Sequence, residues 1–206
     1  PALMPWAMLL VSAAGVLAAS RLLRWERGVT GCLLLLVPLG NTSFFGIPMV
    51  KAFFGDGGVP YAVIYDQLGS FPSLAIYGSL IVAIYGAGAR PTARGVALRI
   101  ATFPPCLALM LALSLRGVVF PAAASDVLAT LAATLVPVVM IAVGLQLSLR
   151  LRREEAAPLA LGIAGKLVVA PALALLACRL LGLEGEAARV AVFESGMPPM
   201  VSGGAL

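Results

Sequence analysis

Gly40-Asn41-Thr42-Ser43-Phe44-Phe45-Gly46-Ile47-Pro48 and Glu194-Ser195-Gly196-Met197-Pro198-Pro199 are the two stretches on which the fold turns. Each lies in a long apolar run and carries a Gly-x-Pro triplet, Gly46-Ile47-Pro48 in one and Gly196-Met197-Pro198 in the other. Glycine removes the side-chain restraint on the backbone, proline removes an N–H, and the residue before proline is pushed out of the α region. Together they predict a helix that unwinds locally at both triplets. Backbone groups freed this way find no partner in lipid, so they must line a space enclosed by protein.

The flanking composition says that lipid is the surrounding medium. Hydrophobic residues make up 61% of the chain, charged residues 11%, and the mean hydropathy is +1.05. A soluble domain is nearer half apolar and a quarter charged, so this surplus has to face a bilayer. The net charge of +5 comes from 14 Lys and Arg against 9 Asp and Glu. The basic residues cluster between apolar runs, without interleaved aromatics, which speaks for membrane orientation rather than for a nucleic-acid partner.

A helix needs about 20 apolar residues to cross a bilayer. Seven runs qualify: Met4 to Leu23, Val29 to Phe54 with an interruption, Val63 to Tyr85, Ala97 to Phe120, Val127 to Leu149, Ala156 to Leu183, and a last one from Glu186 to Leu206. Every second connection is basic: Arg21, Arg24 and Arg27, then Arg90, Arg94 and Arg99, then Arg150, Arg152 and Arg153. The positive-inside rule puts these loops in the cytoplasm of a multi-pass protein of the cell (inner) membrane.

Pro198 follows Pro48 by 150 residues, and the two broken spans run in opposite directions through the bilayer. That pattern predicts an all-α polytopic fold built from inverted five-helix repeats whose broken helices cross. A repeat of that length implies a protein of roughly 300 residues. The chain starts Pro-Ala within an apolar segment, as a piece of a longer protein would. The visible spans then count as helices three to nine of ten. Residues 1–89 carry helices three to five of the first repeat, and residues 90–206 carry helices six to nine of the second.

These residues resemble the auxin efflux carrier family, in its bacterial form. The Gly40 to Pro48 stretch matches the family's Asn-containing fourth helix. Phe54-Gly55, Tyr61-Ala62 and Tyr65-Asp66 match the passage into the fifth, Pro137 with Gly144-Leu145 the seventh, and Glu194-x-x-Met197-Pro198 the ninth. The short loop from Gly86 to Ala97 fits bacterial rather than plant members. The resemblance implies the ten-helix plan shared with bile-acid symporters and sodium/proton antiporters. It also implies a small organic anion, such as a dicarboxylate, as cargo.

Ionisable residues inside spans cost roughly 2.5–3.5 kcal/mol on insertion scales, so each is a candidate for function. Asn41 offers donors and an acceptor beside the first break, for substrate or for helix packing. Thr42 and Ser43 either assist it or bond back to their own helix. Gly46, Pro48, Gly196 and Pro198 supply the freed backbone groups for substrate. Glu194, one turn before Pro198, takes a coupling proton or cation, or pairs with a basic residue. Lys166, in mid-span, balances an anionic substrate, pairs with Glu194, or snorkels to the surface. Asp66 is expected at the outer interface. Lys51 and Arg116 snorkel at outer ends, and Trp6, Trp25, Tyr61 and Tyr65 fit interfacial belts. Cys32, Cys106 and Cys178 are expected to be small packing residues.

The chain has no His, no nucleophile–base pair and no Walker loop, so neither an enzyme nor an ATP-driven pump is expected, and no cofactor. The reading that remains is a secondary transporter moving a small organic anion by alternating access. A cation-coupled symporter or antiporter shares the architecture, and a channel is the rival of different class. Oligomeric state stays open, a homo-oligomer included.

Overall fold

The computed structural model describes residues 2–86, 92, 94, 98, 102, 104–118, 120–146 and 153–200. Arg90, Arg99, Arg150 and Arg152, and the end of the last expected span, lie outside the described residues. Among the described residues the chain is helical, with a single isolated β-bridge. It divides into two compact units, residues 1–91 with 148–206, and residues 92–147.

In the first unit α1 spans Met4–Leu23 and stops where Arg24 turns left-handed (φ 54°), its N–H or that of the next residue closing on the Ser20 carbonyl. Helix α2, Arg27–Leu36, ends in the turn at Val37 and Pro38. Helix α3, Thr42–Phe54, follows after a short extended stretch and stops at Gly55 (φ 74°). Helix α4 runs unbroken from Val59 to Tyr85. The second unit contributes α5, Pro104–Ser114, and α6, Ala122–Gln146. Back in the first unit, α7 runs from Arg153–Ala164 through Gly165–Val169 into Ala170–Leu180. Helix α8, Glu186–Ser195, gives way to extended chain at Gly196.

Three of these helices are long and apolar enough to cross a membrane: Met4–Leu23, Val59–Tyr85 and Ala156–Leu180. Their outward faces carry Leu10, Leu80 and Val168, exposed as lipid-facing side chains would be. Inside the first unit, Met4, Met8, Tyr65, Ala174, Cys178 and Ala191 join α1, α4, α7 and α8 in one core cluster. Val50, Ala62 and Val190 form another between α3, α4 and α8, capped where Phe193 meets Phe54 edge-on at 5.3 Å.

The prolines do something other than the sequence suggests. Ile47, Phe71 and Ala170 each donate their N–H to the carbonyl five residues back, closing wide π turns at Thr42–Gly46, Asp66–Ser70 and Gly165–Val169. A proline follows each of them directly: Pro48, Pro72 and Pro171. A proline ring in an α-helix collides with the carbonyl four residues back. A π turn opens that spot, so the helix continues through the proline. The expected unwinding at Gly46-Ile47-Pro48 is therefore corrected: those residues are helical, and the first break falls earlier, at Pro38 to Asn41. At Gly196-Met197-Pro198 the helix does unwind, as expected.

Three other expectations change. Asp66 is fully buried rather than interfacial, and Tyr65 is buried with it rather than placed in a belt. The helix begins at Val59, four residues before the expected start, which carries both residues a full turn deeper. Cys178 packs in the core as anticipated, whereas Cys32 is exposed; the Cys106 side chain lies outside the described residues.

Candidate functional site

The site is made where the two interrupted chains meet. Gly40 pairs with Pro199 in an antiparallel bridge. The Asn41 N–H donates to the Pro198 carbonyl at 2.7 Å, and the Met200 N–H donates to the Leu39 carbonyl at 3.1 Å. Two unwound segments thus satisfy part of each other's backbone inside the protein, the condition under which irregular chain is tolerated at membrane depth. Gly196 ends α8, its N–H turning back to the Phe193 carbonyl at 3.1 Å. Pro48 sits within α3 and takes no part in these backbone bonds.

Four ionisable or amide side chains are buried around the join: Asn41, Asp66, Lys166 and Glu194, none more than 4% exposed. The Glu194 carboxylate rests against Gly46, where any Cβ would strike it. Neither Glu194 oxygen has a hydrogen-bond partner among the described residues, and the same holds for Asn41 Oδ1. Lys166 reaches Gly40 from the other side: a Cβ there would lie 3.0 Å from its Nζ. No ion pair joins Lys166 to Glu194 among the described residues; both instead line a cavity of about 10 Å³, with Gly40, Thr42, Tyr65 and Ser73. That volume is room for about one water, so the site is closed in this conformation. Lys166 does not snorkel, since it is only 4% exposed.

Asp66 is the residue that sequence reasoning placed elsewhere. Its Oδ1 accepts from Thr42 Oγ1 and from Ser43 Oγ, both at 2.6 Å, and its Oδ2 accepts from Gln67 Nε2 at 2.8 Å. Thr42 and Ser43 therefore do not bond back to their own helix. A signal was present. Thr42 and Asp66 each stand six residues before a proline in an apolar run, and Lys166 stands five before one. All three sit on the π turns that those prolines accompany.

Interrupted helices that enclose buried charges, carried by helices with exposed apolar sides, are features that membrane transport proteins share. The whole chain, residues 1–206, matches the membrane transport protein family, which is the auxin efflux carrier type, and the chain belongs to it. It is also 28% identical over 173 residues to an uncharacterized transporter of Methanocaldococcus jannaschii, a match covering 82% of this chain and 55% of the relative. The chain thus spans about half the length of the curated relative it matches. No solved structure matches it.

Proposed function

We propose that this chain forms the substrate-handling part of a secondary transporter that moves a small organic anion by alternating access. The observation that carries the reading is the join of Leu39, Gly40 and Asn41 to Pro198, Pro199 and Met200, with Lys166 and Glu194 buried against it. Burying such charges is costly unless they have work to do or partners to meet. In this reading a substrate carboxylate binds Asn41, the N-terminal end of α3 and the freed backbone near Gly196 and Pro198, and Lys166 offsets its charge. Glu194, near the C-terminal end of α8, takes a coupling proton or cation. The two interrupted segments are counterparts in inverted repeats, and the arginine-rich connections face the cytoplasm of the cell membrane.

A second reading, coupling to sodium or protons as in bile-acid symporters and sodium/proton antiporters, is favoured by one observation. Among the described residues, two carboxylates, Asp66 and Glu194, are buried in this region and only one lysine, Lys166, which interacts with Glu194. An anion entering such a site brings further negative charge, which a co-transported cation relieves.

Uptake of a panel of mono- and dicarboxylates into proteoliposomes of the full-length protein, with sodium and pH varied, tests both readings. At least one carboxylate should accumulate, and Asn41→Ala should abolish this without loss of folding. Glu194→Gln should change the sodium or pH dependence instead of merely slowing uptake. If no carboxylate moves under any sodium or pH condition, the anion reading fails.

A further inference from the structure

Thr42 and Ser43 open α3 beside the join, where an anionic substrate needs hydrogen-bond donors. Their hydroxyls are directed elsewhere. Both lie 2.6 Å from the same Asp66 oxygen, and an ionised carboxylate only accepts, so both hydroxyl protons are committed to it. Gln67 holds the other Asp66 oxygen at 2.8 Å, which fixes the plane of the carboxylate. Asp66 is 0% exposed and Thr42 1%, so water does not compete for the bond between them. Meanwhile Asn41 Oδ1 and both Glu194 oxygens, buried beside the same join, are acceptors without a donor among the described residues. The closed site is thus rich in acceptors, and two of its donors are held by a carboxylate that neither the sequence pattern nor the family match assigns.

Resting on the transport reading above, we infer that Asp66 is a positioning residue of the transport site: its protonation state decides whether a Thr42 or Ser43 hydroxyl donates to it or to an anionic substrate. The chemistry balances with one proton. A proton taken from water onto Asp66 makes it a carboxyl group with one O–H donor. That O–H donates to the Thr42 or Ser43 oxygen, and the hydroxyl so engaged turns its own proton away from Asp66. The proton is returned to water when the carboxylate reforms and recaptures that hydroxyl. The charged and titratable groups facing Asp66 belong to three elements. Glu194 of α8 lies at the far end of the Thr42–Gly46 turn and interacts electrostatically with Asp66. Lys166 of α7 interacts with Glu194 in turn, and Tyr65 precedes Asp66 on α4. Glu194 has no hydroxyl partner among the described residues, so the hydroxyl control is specific to Asp66.

The test is uptake kinetics of the carboxylate found in the panel, with full-length protein in proteoliposomes, measured across a series of pH values. Wild type should show a KM that depends on pH. Asp66→Asn should flatten that dependence, and Asp66→Glu should restore it. The paired change Thr42→Val with Ser43→Ala should raise KM about tenfold, the loss of a hydrogen bond to a charged group. Adding Asp66→Asn to that pair should change KM no further. A wild-type pH profile in Asp66→Asn overturns the positioning role, and so does an unchanged KM in the hydroxyl pair, which serves as the test if Asp66→Asn does not fold. A wild-type KM flat across pH also overturns it while leaving the transport reading standing. A wild-type protein that moves no carboxylate overturns both.

Discussion

The carboxylate of Glu194 rests on the backbone of Gly46: a Cβ at position 46 would lie 2.7 Å from Oε1 and 2.8 Å from Cδ. Such distances are below any ordinary contact, so the fully buried Glu194 side chain would have to shift. Gly46 is therefore a seat, needed for close approach rather than for an unusual backbone angle, since its φ is −62°.

Gly46→Ala should accordingly destabilise the protein by about 1–3 kcal/mol, the range for overpacking a filled core, and should lower transport with it. Combining it with Glu194→Ala should cost less than the sum of the two changes, because the shorter side chain removes the collision. Thermal unfolding in detergent measures this as a coupling of at least about 1 kcal/mol. Strict additivity would show that the two residues do not touch.

Lys166 gives the opposite combination of signs. Lys166→Met keeps much of the volume but removes a buried charge that has no ion-pair partner among the described residues. Replacing a buried charge by an apolar side chain relieves its desolvation cost, which here outweighs the attraction to Glu194. The unfolding temperature should hold or rise, while KM for a carboxylate rises about tenfold or more. A variant with unchanged KM would remove Lys166 from the substrate seat.

Pro171 is predicted to set the direction in which Lys166 points. The π turn Gly165–Val169 carries one residue more than an α turn, and Pro171 is what accompanies it. Pro171→Ala lets the helix close to ordinary α geometry, turning the preceding segment by about 100°, one residue's share of a turn. A cysteine placed at position 166 should be shielded from a membrane-permeant maleimide in the parent and labelled in the Pro171→Ala background. Equal labelling in both would show that the π turn survives without its proline.

Topology follows from charge. Arg24 ends α1 in an arginine-rich connection, whereas Asp56 sits in an arginine-poor one, where it pairs with Lys51 at 3.0 Å. Both partners of that pair are largely exposed, so breaking it should cost under about 1 kcal/mol, and position 56 is safe for a probe. With an impermeant maleimide on intact cells, Asp56→Cys should label and Arg24→Cys should not. The reverse pattern would invert the proposed orientation.

The sequence alone determined the medium and the elements. An apolar excess of this size and the length of the runs are one-dimensional facts, and lipid imposes helices on them, because every backbone group must be satisfied within its own segment. Met4–Leu23 came out at its observed limits, and the interruption of α2 and α3 and the end of α8 at Gly196 were legible from glycine and proline. Asn41, Lys166 and Glu194 stood out because ionisable and amide groups are rare at such depth.

Tertiary structure decided where the first break falls and which partners the polar groups find. Proline's conflict with the carbonyl four residues back can be resolved by unwinding or by a π turn, and both are compatible with the sequence at Pro48, Pro72 and Pro171. Packing against neighbouring helices chose the π turn at all three, moved the break back to Pro38 to Asn41, and turned Thr42, Asp66 and Lys166 inward. Asp66 read as interfacial because its neighbours in sequence are ambiguous. It is buried because Thr42 and Ser43, 24 and 23 residues away along the chain, bring it hydrogen-bond donors. A buried carboxylate is tolerable only with such donors, and partners so distant in sequence are brought together only by the folded chain.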